Sequence, residues 1–244
     1  MRINTTDIQN AFGKYLSLVE KEDIIITKNG KSVAKLIRYN EPDCFLVYEE
    51  SLKYQSTKRI SYEEYMRLVD SSDQRYELID GEIYLLASPS FTHQVVVNEI
   101  SGHFYNYFKG KPCQSLTSPF DVRLFGYATK FEEDPNIVQP DVMVICDEDK
   151  VNEKNMYEGI PTLVVEVLAP STKGKDMVKK LNLYMKSGVL EYWIVNLENK
   201  SILQYSFSQD KDIESLRSVN GDDTIQSIEF RGLEIVLRDI FNDI

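Results

Sequence analysis

The segment PTLVVEVLAP, residues 161–170, decides how the rest of the chain is read. Its run TLVVEVL is apolar on both sides of a single acid and reads as a buried strand. That acid, Glu166, stands between Val165 and Val167. Taking an ionised carboxylate into such a strand costs several kcal/mol unless it is paired or binds a cation. Side chains alternate along a strand, so Thr162, Val164, Glu166 and Leu168 share one face and Leu163, Val165 and Val167 the other.

The preceding apolar segment, IVQPDVMVIC at 137–146, holds Asp141 in a similar setting. Two acids on neighbouring strands can converge on a divalent cation, with a backbone carbonyl, assigned here to Val167, completing part of the shell. They can equally sit at strand ends in solvent or pair with basic side chains. The chain has only two histidines, His93 and His103, and three cysteines, Cys44, Cys113 and Cys146, so carboxylates must carry most of any metal site. That favours Mg2+ or Mn2+ over zinc.

The 244 residues, 42% hydrophobic and 27% charged, are enough for one large domain or one domain with an appendage. A net charge of −11 excludes a generic nucleic-acid coat, because phosphate neutralisation needs clustered Lys and Arg. The charge is uneven: residues 1–40 hold seven basic against four acidic side chains, a net +3, which leaves −14 for the remainder. An odd number of widely spaced cysteines predicts neither a disulfide framework nor a thiolate site, and a reducing compartment. With no basic-then-apolar leader and no long apolar run, the expectation is a soluble, cytoplasmic protein with no membrane partner.

Along the chain, Thr5 or Thr6 is placed to N-cap a helix with Ile8, Phe12, Tyr15, Leu16 and Val19 at three- and four-residue spacing. IIITK, the turn pair Asn29-Gly30 and SVAKLI then predict a hairpin. Residues 41–60 have no sustained period and read as a linker. Ser61 to Glu64 has capping-box spacing ahead of a helix, and RYELIDGEIYLLA at 75–87 predicts a second hairpin about Asp80-Gly81. A helix over 92–110, capped by Thr92, follows. Then come strands CQSLTSPFDVRLF, IVQPDVMVIC and PTLVVEVLAP, a helix over 173–188 ending at Gly188, and strands VLEYWIVNL and ILQYSF. This order suggests an α/β or α+β sheet with helices against it, over residues 61–244.

The stretch INTTDIQNAFGKYLSLVEKEDIIITKNGKSVAKLI, 3–37, resembles the N-terminal module of the prevent-host-death (Phd/YefM type) antitoxin family. The resemblance implies that residues 1–40 dimerise or bind operator DNA, and it raises a toxin as a partner. A small dimerisation appendage is the plainer reading.

QPD at 139–141, VEVLAPST at 165–172 and D-x-x-x-K-x-x-x-Y from Asp176 through Lys180 to Tyr184 together resemble the Uma-two family of restriction-endonuclease-like proteins, with the PD-(D/E)XK nuclease-like fold. YELIDGEIY, His93, SPFDVRL, GVLEYWIV and RGLEIVLRDIF extend the likeness. The family implies a restriction-endonuclease-like mixed central sheet flanked by helices, and a magnesium-dependent phosphodiesterase site acting on nucleic acid. Asp141 and Glu166 match its acids. The lysine that the general pattern places two residues after the second acid is Leu168 here, and Lys180 on the following helix matches the position that supplies a lysine instead. Glu77 matches a further family acid, which the resemblance offers as another catalytic residue and metal ligand. His93, at a helix start, is placed to orient a water or phosphate. Lys173, Lys175 and Lys179 are candidates for phosphate contact, or a solvated helix face. Tyr184 is read as packing and Glu82 as an exposed hairpin residue. The leading expectation is a Mg2+-dependent DNA endonuclease, a homodimer. The alternatives are a catalytically inactive nuclease-fold regulator or antitoxin, and an interaction protein with no nucleic-acid role.

Overall fold

The computed structural model describes residues 1–10, 12–19, 24–28, 31–36, 59–169, 174–242 and 244. The chain divides into two compact units, Met1–Leu52 and Lys53–Ile244. Asn29-Gly30, linker residues 41–58 and Lys173 fall outside the described residues.

In the first unit β1 (Arg2–Asn4), α1 (Thr5–Asn10), α2 (Phe12–Val19), β2 (Ile24–Lys28) and β3 (Lys31–Leu36) follow in order. The sheet runs β1-β2-β3, parallel then antiparallel. Ile3, Ile8, Val19 and Ile24 form its core. The helix begins at Thr5, so neither threonine is its cap; Asn4 Oδ1 accepts from Thr6 N at 3.4 Å and takes that role. Phe12, expected on the apolar face, is 52% exposed.

In the second unit Ser61 caps α3 (Tyr62–Asp70) through a reciprocal capping box with Glu64. The hairpin of β4 (Tyr76–Ile79) and β5 (Glu82–Leu85) turns at Asp80 and Gly81, both at positive φ. α4 (Phe91–Phe108) is capped by Ser90, two residues before the expected Thr92.

The next two segments depart from the sequence expectation. CQSLTSPFDVRLF is not one strand but β6 (Gln114–Thr117) and β7 (Val122–Leu124); IVQPDVMVIC is β8 (Asn136–Val138) and β9 (Val142–Ile145). Each broken segment leaves one sheet and enters another at Ser118-Pro119 or Gln139-Pro140. Proline cannot donate to a ladder, so it sits where pairing changes hands. One sheet has the order β5-β4-β8-β7. The other has the order β13-β12-β11-β10-β9-β6, with β10 (Leu163–Val167), β11 (Glu191–Asn196), β12 (Ser201–Phe207) and β13 (Ile213–Asn220). It is mixed: β10 and β11 pair parallel and the other neighbours antiparallel.

One face of this sheet, with Val142, Val144, Leu163, Val165, Val167 and Trp193, packs against Val96, Ile100, Phe104 and Phe108 of α4. The opposite face, with Met143, Val164, Leu168, Tyr192 and Ile194, meets Leu183 and Tyr184 of α5 (Leu181–Ser187). A six-residue π-helical stretch, Lys175–Lys180, runs directly into α5, which ends at Gly188 in the left-handed conformation. β14 (Thr224–Gln226), β15 (Glu234–Val236) and α6 (Leu237–Phe241) finish the chain.

The expectation of unpaired cysteines is corrected. The β6–β9 register sets Gln114 opposite Ile145, which brings Cys113 against Cys146, and the two form a disulfide across 33 residues. Sequence spacing hid a pairing that strand register creates. Among the described residues no helix is long and apolar enough to cross a membrane.

Candidate active site

The β9–β10 ladder ends at Val142 and Val165; carried one pair further, it sets Asp141 opposite Glu166, so both side chains leave the sheet on one face. With the ladder ended, Val167 N donates to Asp141 Oδ2 at 2.8 Å. His93, in the first turn of α4, brings Nε2 to 3.2 Å from the same oxygen. Burial works against the imidazolium, but the Asp141 carboxylate, helped by the Val167 carbonyl, outweighs it and raises the His93 pKa. His93 Nδ1 is buried without a partner.

Glu166 is buried, and its Oε1 accepts from Lys180 Nζ at 2.7 Å and from the Tyr184 hydroxyl at 2.6 Å. Burial raises its carboxyl; Lys180 pulls it down; Asp141, Asp176 and Glu77 push it up again. The balance lies at about 8. Lys180 reaches Glu166, Glu77 Oε1 at 2.9 Å and Asp176 Oδ1 at 3.7 Å. Burial alone would favour the neutral amine, but these three acids hold its pKa well above the ordinary lysine value. It is a fixed cation, not a base.

Glu77 comes from β4 in the other sheet and is completely buried. It accepts from Lys175 Nζ at 2.7 Å, from Lys180 and from Gln139 N at 2.9 Å. Burial opposes its charge, yet both amines and that backbone bond hold its pKa down at about 2. Both Glu77 oxygens are therefore occupied. The π-helical stretch explains how two lysines meet one acid, since residues five apart stack along it, as Lys175 and Lys180 do.

The structure thus gathers Asp141, Glu166, Lys180, Glu77, His93 and Lys175 around the sheet-to-sheet crossing. Lys175 is 9% exposed and paired with Glu77, and Lys179 pairs with Glu82 at 2.7 Å, so both ammonium groups are engaged with acids of β4 and β5. One residue read otherwise from sequence joins the cluster, Tyr184, read as packing, which donates to Glu166; Asp176 sits against Lys180, the pair that their i, i+4 spacing offers. Their spacing of four on either side of Lys180 was the available signal, because such residues share a helix face.

Among the described residues, no three His, Cys, Asp or Glu side chains are gathered closely enough to hold an ion by themselves. The donor chemistry nevertheless suits a hard cation. Asp141 and Glu166 each keep an oxygen with no hydrogen-bond partner among the described residues, and Mg2+ is commonly held by one or two carboxylates with water and phosphate completing the shell.

Residues 62–238 match the family Uma2, described as "Putative restriction endonuclease". The chain belongs to the Uma2 family. Two relatives from Synechocystis sp. are "Uncharacterized protein slr1290", 30% identical over 155 residues (63% of this chain, 77% of that protein), and "Uncharacterized protein sll1609", 26% identical over 141 residues (57% and 76%). A solved structure, described as a putative nuclease belonging to DUF820 from Anabaena variabilis, superposes with a TM-score of 0.61 at 18% identity, covering 75% of this chain and 98% of that one. The nuclease-like fold of this Uma2 protein is thereby shared with an experimentally solved chain. Both the matched region and the cluster around Glu166 lie in the second unit.

Proposed function

We propose that this Uma2 protein is a divalent-metal-dependent endonuclease that hydrolyses phosphodiester bonds in nucleic acid, with DNA as the first substrate to test. The observation that carries this reading is the common face of Asp141 and Glu166 with the Lys180 amine 2.7 Å from Glu166. Asp141, Glu166 and the Val167 carbonyl would hold Mg2+ or Mn2+. Such an ion supplies Lewis acidity toward water and phosphate oxygens. Lys180, locked as an ammonium by Glu77 and Asp176, contributes positive charge and a donor where negative charge develops on the phosphate. Tyr184 holds the Glu166 carboxylate in one orientation, and His93 does the same for Asp141. Glu77, with both oxygens occupied, acts by positioning Lys180. Lys173 and Lys179 remain candidates for contact with the flanking phosphates.

The test is incubation of the full chain with end-labelled DNA and RNA in Mg2+, Mn2+ or EDTA, alongside metal-induced thermal shift. Metal-dependent cleavage lost in Asp141→Ala and Glu166→Ala supports the reading. No cleavage and no shift with either ion removes it, and leaves the inactive nuclease-fold regulator.

For the first unit, whose Phe12 is exposed, we propose dimerisation or operator binding, as its antitoxin-like sequence implies, with a toxin as a possible partner. A gel shift on the protein's own promoter, comparing the full chain with one starting at Ser61, tests this. Equal binding by both removes the operator role.

A further inference from the structure

On a chain of net charge −11, lysines without acidic partners are informative. Lys175, Lys179 and Lys180 are all in ion pairs. Lys186 and Lys211 have no carboxylate within salt-bridge distance among the described residues. Both instead converge on one ring: their ammonium nitrogens lie 5.7 and 5.2 Å from the centroid of Tyr127, which is 59% exposed.

The ring is held in place. Gly126, at φ +53°, donates its N–H to Ser187 Oγ at 3.2 Å and accepts from Lys211 Nζ at 3.4 Å; the Tyr127 hydroxyl donates to the Lys211 carbonyl at 3.4 Å. A Cβ at residue 126 would lie 3.1 Å from Asp134 Oδ2, in a backbone conformation that side chains rarely adopt. The segment is therefore pinned to α5 and to the β12–β13 turn. An isolated exposed aromatic needs no explanation. An exposed ring flanked by two ammonium groups that form no ion pair among the described residues combines a stacking face with two candidate phosphate contacts, the composition of a single-strand binding site.

The helical segment that carries Lys180 into the candidate active site also carries Lys186 to this ring. Lys186 is six residues beyond Lys180, about 9 Å at ~1.5 Å per helical residue.

We infer that Tyr127, with Lys186 and Lys211, is a platform on which an unpaired nucleotide flanking the scissile bond stacks, so that the enzyme selects single-stranded or unwound substrate. This rests on the nuclease reading above and adds the substrate's strandedness to it. Lys211 lies between Asp210 and Asp212, so stacking carries more of the affinity than charge does.

The experiment is fluorescence anisotropy of short labelled oligothymidylate, oligouridylate and a DNA duplex with the full chain in EDTA, with cleavage measured separately in Mn2+. Tyr127→Ala is expected to weaken single-strand binding about five- to 150-fold, the range for one lost base stack, and to leave duplex binding and thermal unfolding unchanged. Tyr127→Phe should bind like the parent. Lys186→Ala with Lys211→Ala should flatten the salt dependence by about 1.4 in log–log slope, from ~0.7 per single-strand phosphate. If Tyr127→Ala binds single strands as tightly as the parent while the parent cleaves, the platform falls and the nuclease reading stands. A parent chain that neither binds nor cleaves any of the three overturns both.

Discussion

Replacing Lys180 with methionine tests the central electrostatic claim. The amine is buried and shared by Glu166, Glu77 and Asp176. Removing one partner of a buried ion pair costs ~3–5 kcal/mol, because the charges left behind have neither solvent nor counter-ion. For a domain of this size each kcal/mol moves Tm by ~2–4 °C, so the expected fall is ~6–20 °C. Its pH dependence is more diagnostic than its size. The folded-state pKa of Glu166, about 8, already exceeds the ordinary 4.5 because of burial, and Lys180 is the main influence pulling it down. In Lys180→Met it rises further. A carboxyl raised in the folded state favours folding below 4.5 and loses that contribution as pH climbs to the folded value. Glu77, held at about 2, behaves oppositely: its contribution is present above 4.5 and is lost only as pH falls toward 2; Lys175 still pairs with it in the variant. The Glu166 share of the gap between parent and variant is therefore level from pH 5 to about pH 8 and widens by up to ~1.4 kcal/mol by pH 9, where the parent's Glu166 has ionised and the variant's has not. Urea unfolding at both pH values measures it. A loss under ~1 kcal/mol, or one equal at both pH values, refutes the account of Lys180 as the counter-charge of a buried acid cluster.

The metal site and the positioning acid are separable: Asp141→Asn and Glu166→Gln should abolish the Mn2+-induced thermal shift, whereas Glu77→Gln should keep it, because both Glu77 oxygens already accept hydrogen bonds. Loss of the shift in Glu77→Gln would reassign that residue as a ligand. Because burial holds the Glu166 pKa at about 8, the group is mostly protonated near pH 7, and Mn2+ binding there should release close to one proton, read by calorimetry in buffers of different ionisation enthalpy; buffer-independent heats would contradict Glu166 as a ligand. Glu191→Ala should destabilise by at least ~3 kcal/mol without changing metal binding, since this buried acid accepts from Trp193, Gln204, Ser227 and the backbone N–H groups of Ile228 and Glu229. Dithiothreitol should lower stability by ~2–4 kcal/mol through the loop that Cys113–Cys146 closes across 33 residues, and an unchanged Tm would show that the bridge does not form in solution.

Much of the fold was legible in local pattern. Ser61 and Glu64, Asp80-Gly81 and Gly188 mark boundaries through backbone requirements that any chain obeys, and the structure uses all of them. The alternation around Glu166 also holds: Val164 and Leu168 pack against α5 while Leu163, Val165 and Val167 pack against α4. What failed was non-local. A proline inside an apolar run gives no hint that the strand continues in a different sheet, yet that crossing at Gln139-Pro140 is why Glu77 meets Lys180, through the Gln139 N–H bond. The Cys113–Cys146 pair depends on strand register, and Tyr184 on which face of α5 the sheet covers. The helix caps moved by one or two residues because Asn4 and Ser90 compete with the nearby threonines for the same N–H groups.

The Leu168 departure from the strand-lysine pattern has a physical reading in the same cluster. Leu168 shares the Glu166 face and is buried among the side chains packed on α5, so an ammonium there would need its own desolvated counter-ion. Lys180 delivers a cation to the same carboxylate from the opposite layer, with Glu77 and Asp176 already in place to hold it. Those two acids neutralise more charge than Lys175 and Lys180 bring once Glu166 is also ionised, and Asp141 is balanced only when His93 is protonated. The cluster is thus short of positive charge, which adds to burial in displacing the Glu166 pKa upward. A scaffold with no use for a cation gains stability by losing one acid, since an unbalanced buried carboxylate costs several kcal/mol. Retaining Asp141 and Glu166 face to face at the sheet edge makes sense where a divalent ion makes up the deficit.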